Sequence, residues 1–214
     1  MEIEQIAPHL WWWTAPHPEW TPSSFKDGRG WERDVSSYAL VEDGSLVLFD
    51  PLVPADDDDD DERFWSALDD DVEHHGPPSI LISLHWHARS AGEILARYAG
   101  ASVWAHEPAV GDVAKRVAVS QTFADGDRLP GGVEALAIGV MNEAAFWLAG
   151  HRALVLGDSL LGYQGRTELC PRSWLGKGDT MEELEASVRR ALEREPERLL
   201  LTHGGPRDPS ELQL

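Results

Sequence analysis

Cysteine is almost absent from this chain. Of 214 residues only Cys170 carries a thiol, which excludes an internal disulfide and a thiolate metal cage. Lysine is scarce too, so arginine supplies most of the 18 basic residues; these face 38 acidic ones, for a formal charge of −20. A field of that sign repels phosphate backbones and anionic lipid surfaces, so neither nucleic acid nor membrane is an expected partner. No apolar run approaches the length that crosses a bilayer. The opening Met1-Glu2-Ile3-Glu4-Gln5 has neither the basic nor the apolar region of a secretory signal, and the expected location is cytoplasmic. What is present is a 42% hydrophobic chain, long enough to bury a core and of a length for a single domain over residues 1–214.

The first third is rich in tryptophan, with Trp11, Trp12, Trp13, Trp20 and Trp31 ahead of the first clear hairpin. That hairpin joins strand-like runs at 38–41 and 45–49 through Glu42-Asp43-Gly44; an Asp-Gly pair between such runs is a strong turn signal. Asp50-Pro51 closes it. The six aspartates at 56–61 read as a solvated linker entering a helix, because no glycine spaces them as a calcium loop requires. Phe64, Trp65, Leu68 and Val72 then recur at helical spacing, and His74-His75 read as polar linker. Residues 80–84 read as a buried strand running into His85-Trp86-His87. Ser90 and Glu93 form a capping-box pattern opening the next helix, and a short strand follows at 102–105. Further strands are expected at 133–138, 144–148, 153–156 and 199–201. Thr180 and Glu183 cap a helix with Met181, Leu184, Val188 and Leu192 on one face.

Polar residues where buried strands end are where α/β proteins commonly keep their chemistry. Three places qualify: His85 and His87, Asp158, and His203. Two histidines at i and i+2 in extended backbone point the same way and can share one ion. A carboxylate from another strand would complete a two-histidine, one-carboxylate set, although the residues alone force no pairing.

Several segments together resemble the metallo-β-lactamase superfamily. Residues 83–92, Ser-Leu-His-Trp-His-Ala-Arg-Ser-Ala-Gly, resemble its H-x-H-x-D-H motif and following glycine. Phe123-Ala124-Asp125-Gly126-Asp127 resembles the F-x-D-G-D segment, Gly157-Asp158-Ser159-Leu160 the G-D-[ST]-L segment, and Thr202-His203-Gly204 the final histidine. The resemblance implies an α/β (α+β) fold, a four-layer αβ/βα sandwich. It also implies metal ligands at His85, His87, Asp158 and His203. The departures matter as much. The motif's aspartate and second histidine are Arg89 and Ser90, and no histidine stands between 138 and 145, where Glu143 is the spare donor.

An arginine at that position brings a permanent cation that would repel a second ion and could pair with Asp158. The expectation is therefore a hydrolase-like protein with at most one divalent metal (zinc, iron or manganese), acting on a small ester, thioester or lactone. The competing expectation is a metal-free, non-catalytic binding protein or scaffold, with Arg89, Ser90 and Trp86 lining an anion pocket. Either form admits a homodimer. The tryptophans pack the sandwich edge or a dimer interface, or else wall the pocket. His106 and His151 read as ordinary strand-end and turn residues, and Cys170 has no evident partner.

Overall fold

The computed structural model of the protein describes residues 3–26, 29–54, 58–163 and 165–214. The Trp-rich start is strand: β1 (Ile3–Ala7) pairs antiparallel with β2 (Leu10–Pro16). A minimal hairpin, β3 (Phe25–Lys26) with β4 (Arg29–Gly30), leads to β5 (Asp34–Glu42) and β6 (Ser45–Phe49). Asp43 and Gly44 between them both take positive φ, 51° and 71°, as a two-residue turn matched to strand twist requires. Then β7 (Ser79–Ile82), β8 (Ser102–His106) and β9 (Gln121–Phe123) add in parallel, giving the order β1-β2-β5-β6-β7-β8-β9.

Three helices cover this sheet: α1 (Asp58–His75), α2 (Ala91–Arg97) and α3 (Val110–Val113). Asp56 and Asp57 lie outside the described residues, while Asp59, Asp60 and Asp61 form the first turn of α1, where negative charge complements the helix dipole. His74 and His75, read from the sequence as linker, instead complete its last turn.

The second sheet runs β10 (Glu134–Ala137), β11 (Ala144–Leu148), β12 (Ala153–Tyr163), β13 (Arg166–Leu169). The strand β14 (Arg198–His203) lies parallel to β12 and antiparallel to β15 (Gly205–Arg207), and β16 (Leu212–Gln213) borders β13. Helix α4 (Met181–Leu192) covers it, opened by the Thr180–Glu183 capping box.

Strand alternation sorts the apolar residues into three layers. Ala39, Leu46, Leu48, Ile80 and Ile82 face the helices with Phe64 and Ile94, whereas Tyr38, Val47, Phe49 and Leu81 meet Phe146, Val155 and Leu200 between the sheets. Leu154, Leu156, Leu199 and Leu201 face α4 through Leu184 and Val188. Strands buried on both faces explain the unbroken apolar runs of the sequence, and the result is helices, sheet, sheet, helix. Trp13 packs on Phe64 at 5.5 Å among the helices and Trp12 packs toward the inter-sheet layer, so consecutive tryptophans serve opposite faces of β2. No helix among the described residues is long and apolar enough to cross a membrane.

Candidate metal centre

The site lies where β6, β7, β12 and β14 end or break. At the end of β6, Asp50 is 2% exposed, and a buried carboxylate must find donors. It accepts from the Ser83 amide at 2.8 Å, from the Ser83 hydroxyl and from Thr202 Oγ1 at 3.5 Å, and it lies 2.9 Å from His87 Nδ1. After β7 the chain does not stay extended. Residues His85–Ala88 coil into a 3₁₀ turn, which corrects the expectation of extended backbone at His85 and His87. His87 is buried and turns inward. His85 is half-buried, its ring tilted against the exposed Trp86 at a centroid distance of 4.4 Å.

Asp158 reaches the same place by a break in pairing. The sequence ends that strand near Leu156, but β12 runs on to Tyr163, and its parallel register with β14 slips between Leu156 and Leu161. The three amides of Gly157, Asp158 and Ser159 in this break are taken by one side chain. Glu143, fully buried, accepts them at 3.1, 3.2 and 2.9 Å and the Ser159 hydroxyl at 2.7 Å. Glu143 is thus a brace under Asp158 and points its carboxylate at backbone. Burial, then the Asp158 charge, pushes its carboxyl up to about 8. Gly157 is required here because a Cβ would sit 2.7 Å from Ser83 Oγ.

Asp158 Oδ1 lies 3.1 Å from His87 Nε2 and 3.1 Å from His203 Nε2. Ligand atoms of His87, Asp158 and His203 all fall within 4.8 Å of one another, a group that could hold a metal ion. Among the described residues this is the group of that kind, and His85 stands outside it. Two imidazoles and a carboxylate fit such an ion, and the Asp50 carboxylate on His87 Nδ1 is the outer-shell partner that fixes a ligating imidazole. Burial and Arg89 act to lower the His87 pKa, but Asp50 and Asp158 outweigh them and hold it at about 9. For Asp158 burial acts upward, yet His87 and His203 hold its carboxyl well below the usual range.

Arg89 does not pair with Asp158 by hydrogen bond. Its Nη1 donates to the Asp50 carbonyl at 3.0 Å and the Ser36 carbonyl at 3.3 Å, from a backbone at φ 33° and ψ −117°. Ser90 does not cap α2; its hydroxyl accepts from the Val53 amide at 3.0 Å, and the helix spans only seven residues. Above the donor group opens a cavity of about 560 Å³ walled by Trp31, Trp86, Trp174, Leu84 and Met141, with His17, His85 and Arg89 facing it. Trp31 and Trp174 pack on His203 at 5.4 and 5.9 Å. Burial first, then Arg89, pulls the His17 imidazole down to about 4. Asp50, Ser83, His17 and Trp174 are site residues that the sequence reading leaves out. Asp50 carries the same signal as Asp158, a carboxylate closing a buried strand. Trp174 carries none, because it comes from a distant loop. Cys170 is buried with its thiol pushed up to about 12, chiefly by burial, which removes it as a nucleophile.

By sequence the chain matches no protein-family model and no curated protein. By structure it is similar to many metallo-β-lactamase-fold proteins. A metallo-β-lactamase from Pontibacter korlensis superposes with TM-score 0.67 at 17% identity, covering 98% of this chain and 94% of that one. The metallo-β-lactamase FIM-1 from Pseudomonas aeruginosa, in a mono-zinc form, gives 0.70 at 10% identity, covering 98% and 90%. A metallo-β-lactamase family protein from Thermus thermophilus gives 0.65 at 18% identity, covering 95% and 76%. The protein therefore has the metallo-β-lactamase fold, and identities this low speak to fold alone.

Proposed function

We propose that this protein is a hydrolase-like enzyme that holds one divalent ion on His87, Asp158 and His203 and acts on a small ester, thioester or lactone. The observation that carries the reading is the convergence of three donors from separate elements within 4.8 Å, with the far side of His87 already fixed by Asp50 at 2.9 Å. Such outer-shell fixing orients a ligating imidazole. One ion rather than two follows from Arg89, whose permanent charge stands in the motif where a second ion would need an anion. The mono-zinc form of FIM-1 gives the fold a precedent for single occupancy.

An ion bound there supplies Lewis acidity toward a carbonyl oxygen. The chain's own residues do the rest. Asp50 holds His87 in the orientation that presents Nε2 to the cavity. Trp31, Trp86 and Trp174 exclude water and orient an apolar substrate. His17 and His85, whose pKa values are both lowered chiefly by burial, line the cavity as polar imidazoles that can hydrogen-bond a substrate.

The test is elemental analysis of protein purified without a metal-binding tag. About one ion per chain, lost in Asp158→Ala and His87→Ala, supports the reading and directs an ester and lactone screen. A chain that stays empty after dialysis against zinc, iron and manganese sinks it, and leaves a metal-free binding protein using the same cavity.

A further inference from the structure

The cavity of about 560 Å³ takes two of its lining residues, Met141 and Gly176, from loops that are distant in sequence. One side chain ties them together. Asp179 Oδ2 accepts the Met141 amide at 2.9 Å and the Gly176 amide at 3.1 Å, charge-assisted bonds that are stronger than neutral ones. The Met141 loop does not hold its shape by local preference. Met141 and Asn142 stand at φ 58° and 56°, left-handed backbone that residues with a Cβ rarely adopt and that persists only where the surroundings impose it. The Gly176 loop closes tightly round the carboxylate. The Asp179 amide donates back to the Gly176 carbonyl at 3.3 Å, and a Cβ on Gly176 would come within 3.0 Å of Asp179 Oδ2. The same loop follows Trp174, which packs on His203, and Thr180, next in sequence, caps α4. The tie is therefore rooted in a regular element.

We propose that Asp179 is a positioning residue for substrate selection. By fixing Met141 against the Trp174–Gly176 loop it sets the width of the cavity, and with it the size of the apolar body that the site admits. The proposal rests on reading this cavity as the substrate site and adds a determinant of its specificity. Asp179 stands outside the group of metal donors. Among the described residues its carboxylate bonds to the amides of Met141 and Gly176, not to His87, Asp158 or His203. Glu143, two residues beyond Met141, is held by its own bonds at Gly157, Asp158 and Ser159. The Met141 loop has a second anchor in Ser187 Oγ, which accepts the Gly139 amide at 3.0 Å. That anchor does not reach the Gly176 loop, so Ser187 separates loss of the tie from simple loosening of one loop.

Kinetics of p-nitrophenyl acetate hydrolysis by zinc-loaded protein, with calorimetric binding of phenylacetamide to the same preparations, test this. Both probes are uncharged, because Arg89 and Glu19 both line the cavity and a charged probe would report on them. Asp179→Ala is expected to raise KM about tenfold or more and leave kcat within about twofold, the mark of lost binding shared by ground and transition states. Its metal content should stay at the parent level. Asp179→Asn, which keeps an acceptor oxygen, should restore KM to within about threefold of the parent, and Ser187→Ala should raise it by less than about threefold. An unchanged KM in Asp179→Ala, no rescue by Asp179→Asn, an equal rise in Ser187→Ala, or loss of metal in Asp179→Ala overturns the proposal. If Asp179→Ala does not fold, Asp179→Ser takes its place. A parent that binds phenylacetamide without hydrolysing the ester, and loses about tenfold in affinity with Asp179→Ala, keeps this role and removes the hydrolase reading. Hydrolysis whose KM ignores Asp179 does the reverse, and a parent that neither binds nor hydrolyses overturns both.

Discussion

The two halves of the site contrast sharply. Around His87 the ring nitrogens are both answered, by Asp50 and Ser83 on one side and Asp158 on the other, with Glu143 holding the backbone that carries Asp158, although Nδ1 of the neighbouring His203 is buried without a partner. Around Arg89 and His85, one imidazole leans on an exposed tryptophan and one guanidinium leaves Nε without a partner. The first half is tied together by hydrogen bonds between separate elements, and the second is held by fewer of them.

The largest effect is expected for Asp50→Ala, which leaves His87 and the Ser83 amide without their buried carboxylate. A loss of about 3–5 kcal/mol is expected from breaking such a pair, together with loss of metal, read by urea unfolding and elemental analysis. Unchanged stability would mean that the His87 half is not the more tightly tied one.

Glu143→Ala comes next. It strips the acceptor from the backbone at Gly157, Asp158 and Ser159, costing about 1–3 kcal/mol in unsatisfied groups. Metal affinity should fall with it, because Asp158 loses its brace.

The pH dependence of the metal-free protein sharpens the same contrast. His87 is held at about 9 in the folded state, above its ordinary value, and Glu143 at about 8. Both groups bind protons more tightly when folded, so their contribution is complete below their unfolded values. The Glu143 part is lost as pH rises from about 4.5 through 8, and the His87 part from about 6.5 through 9. Melting temperature is therefore expected to fall between pH 6.5 and 9, and less steeply in Glu143→Gln. A flat or rising profile would contradict the charge assignment.

The smallest effect belongs to His85→Ala. It should cost about 1 kcal/mol of aromatic contact and leave the metal content at the parent level. Loss of metal in this variant would return His85 to the ligand set and dissolve the distinction between the halves.

Much of the frame was legible before any coordinates. The Asp43-Gly44 turn, the apolar stripe of α1, the capping box of α4 and the strands at 144–148 and 199–201 follow from local chemistry, because each signal lies within a few residues. Strands β1 and β2 were not legible. Consecutive tryptophans lack the alternation that marks a half-buried strand, and only the packing of both faces makes a strand of them. The capping pattern at Ser90 misled, because the Val53 amide, distant in sequence, claims the hydroxyl that would have capped α2.

For the site, the sequence places His87, Asp158 and His203 at or near the ends of apolar runs, and Arg89 two residues beyond His87. Tertiary structure alone decided which of them meet. It coiled His85 and His87 into a 3₁₀ turn, brought Asp50 under His87, directed Glu143 to backbone, and set Arg89 Nη1 on the Ser36 and Asp50 carbonyls. Those choices depend on hydrogen bonds between residues 14 to 53 positions apart, and no local pattern encodes a partner at that distance.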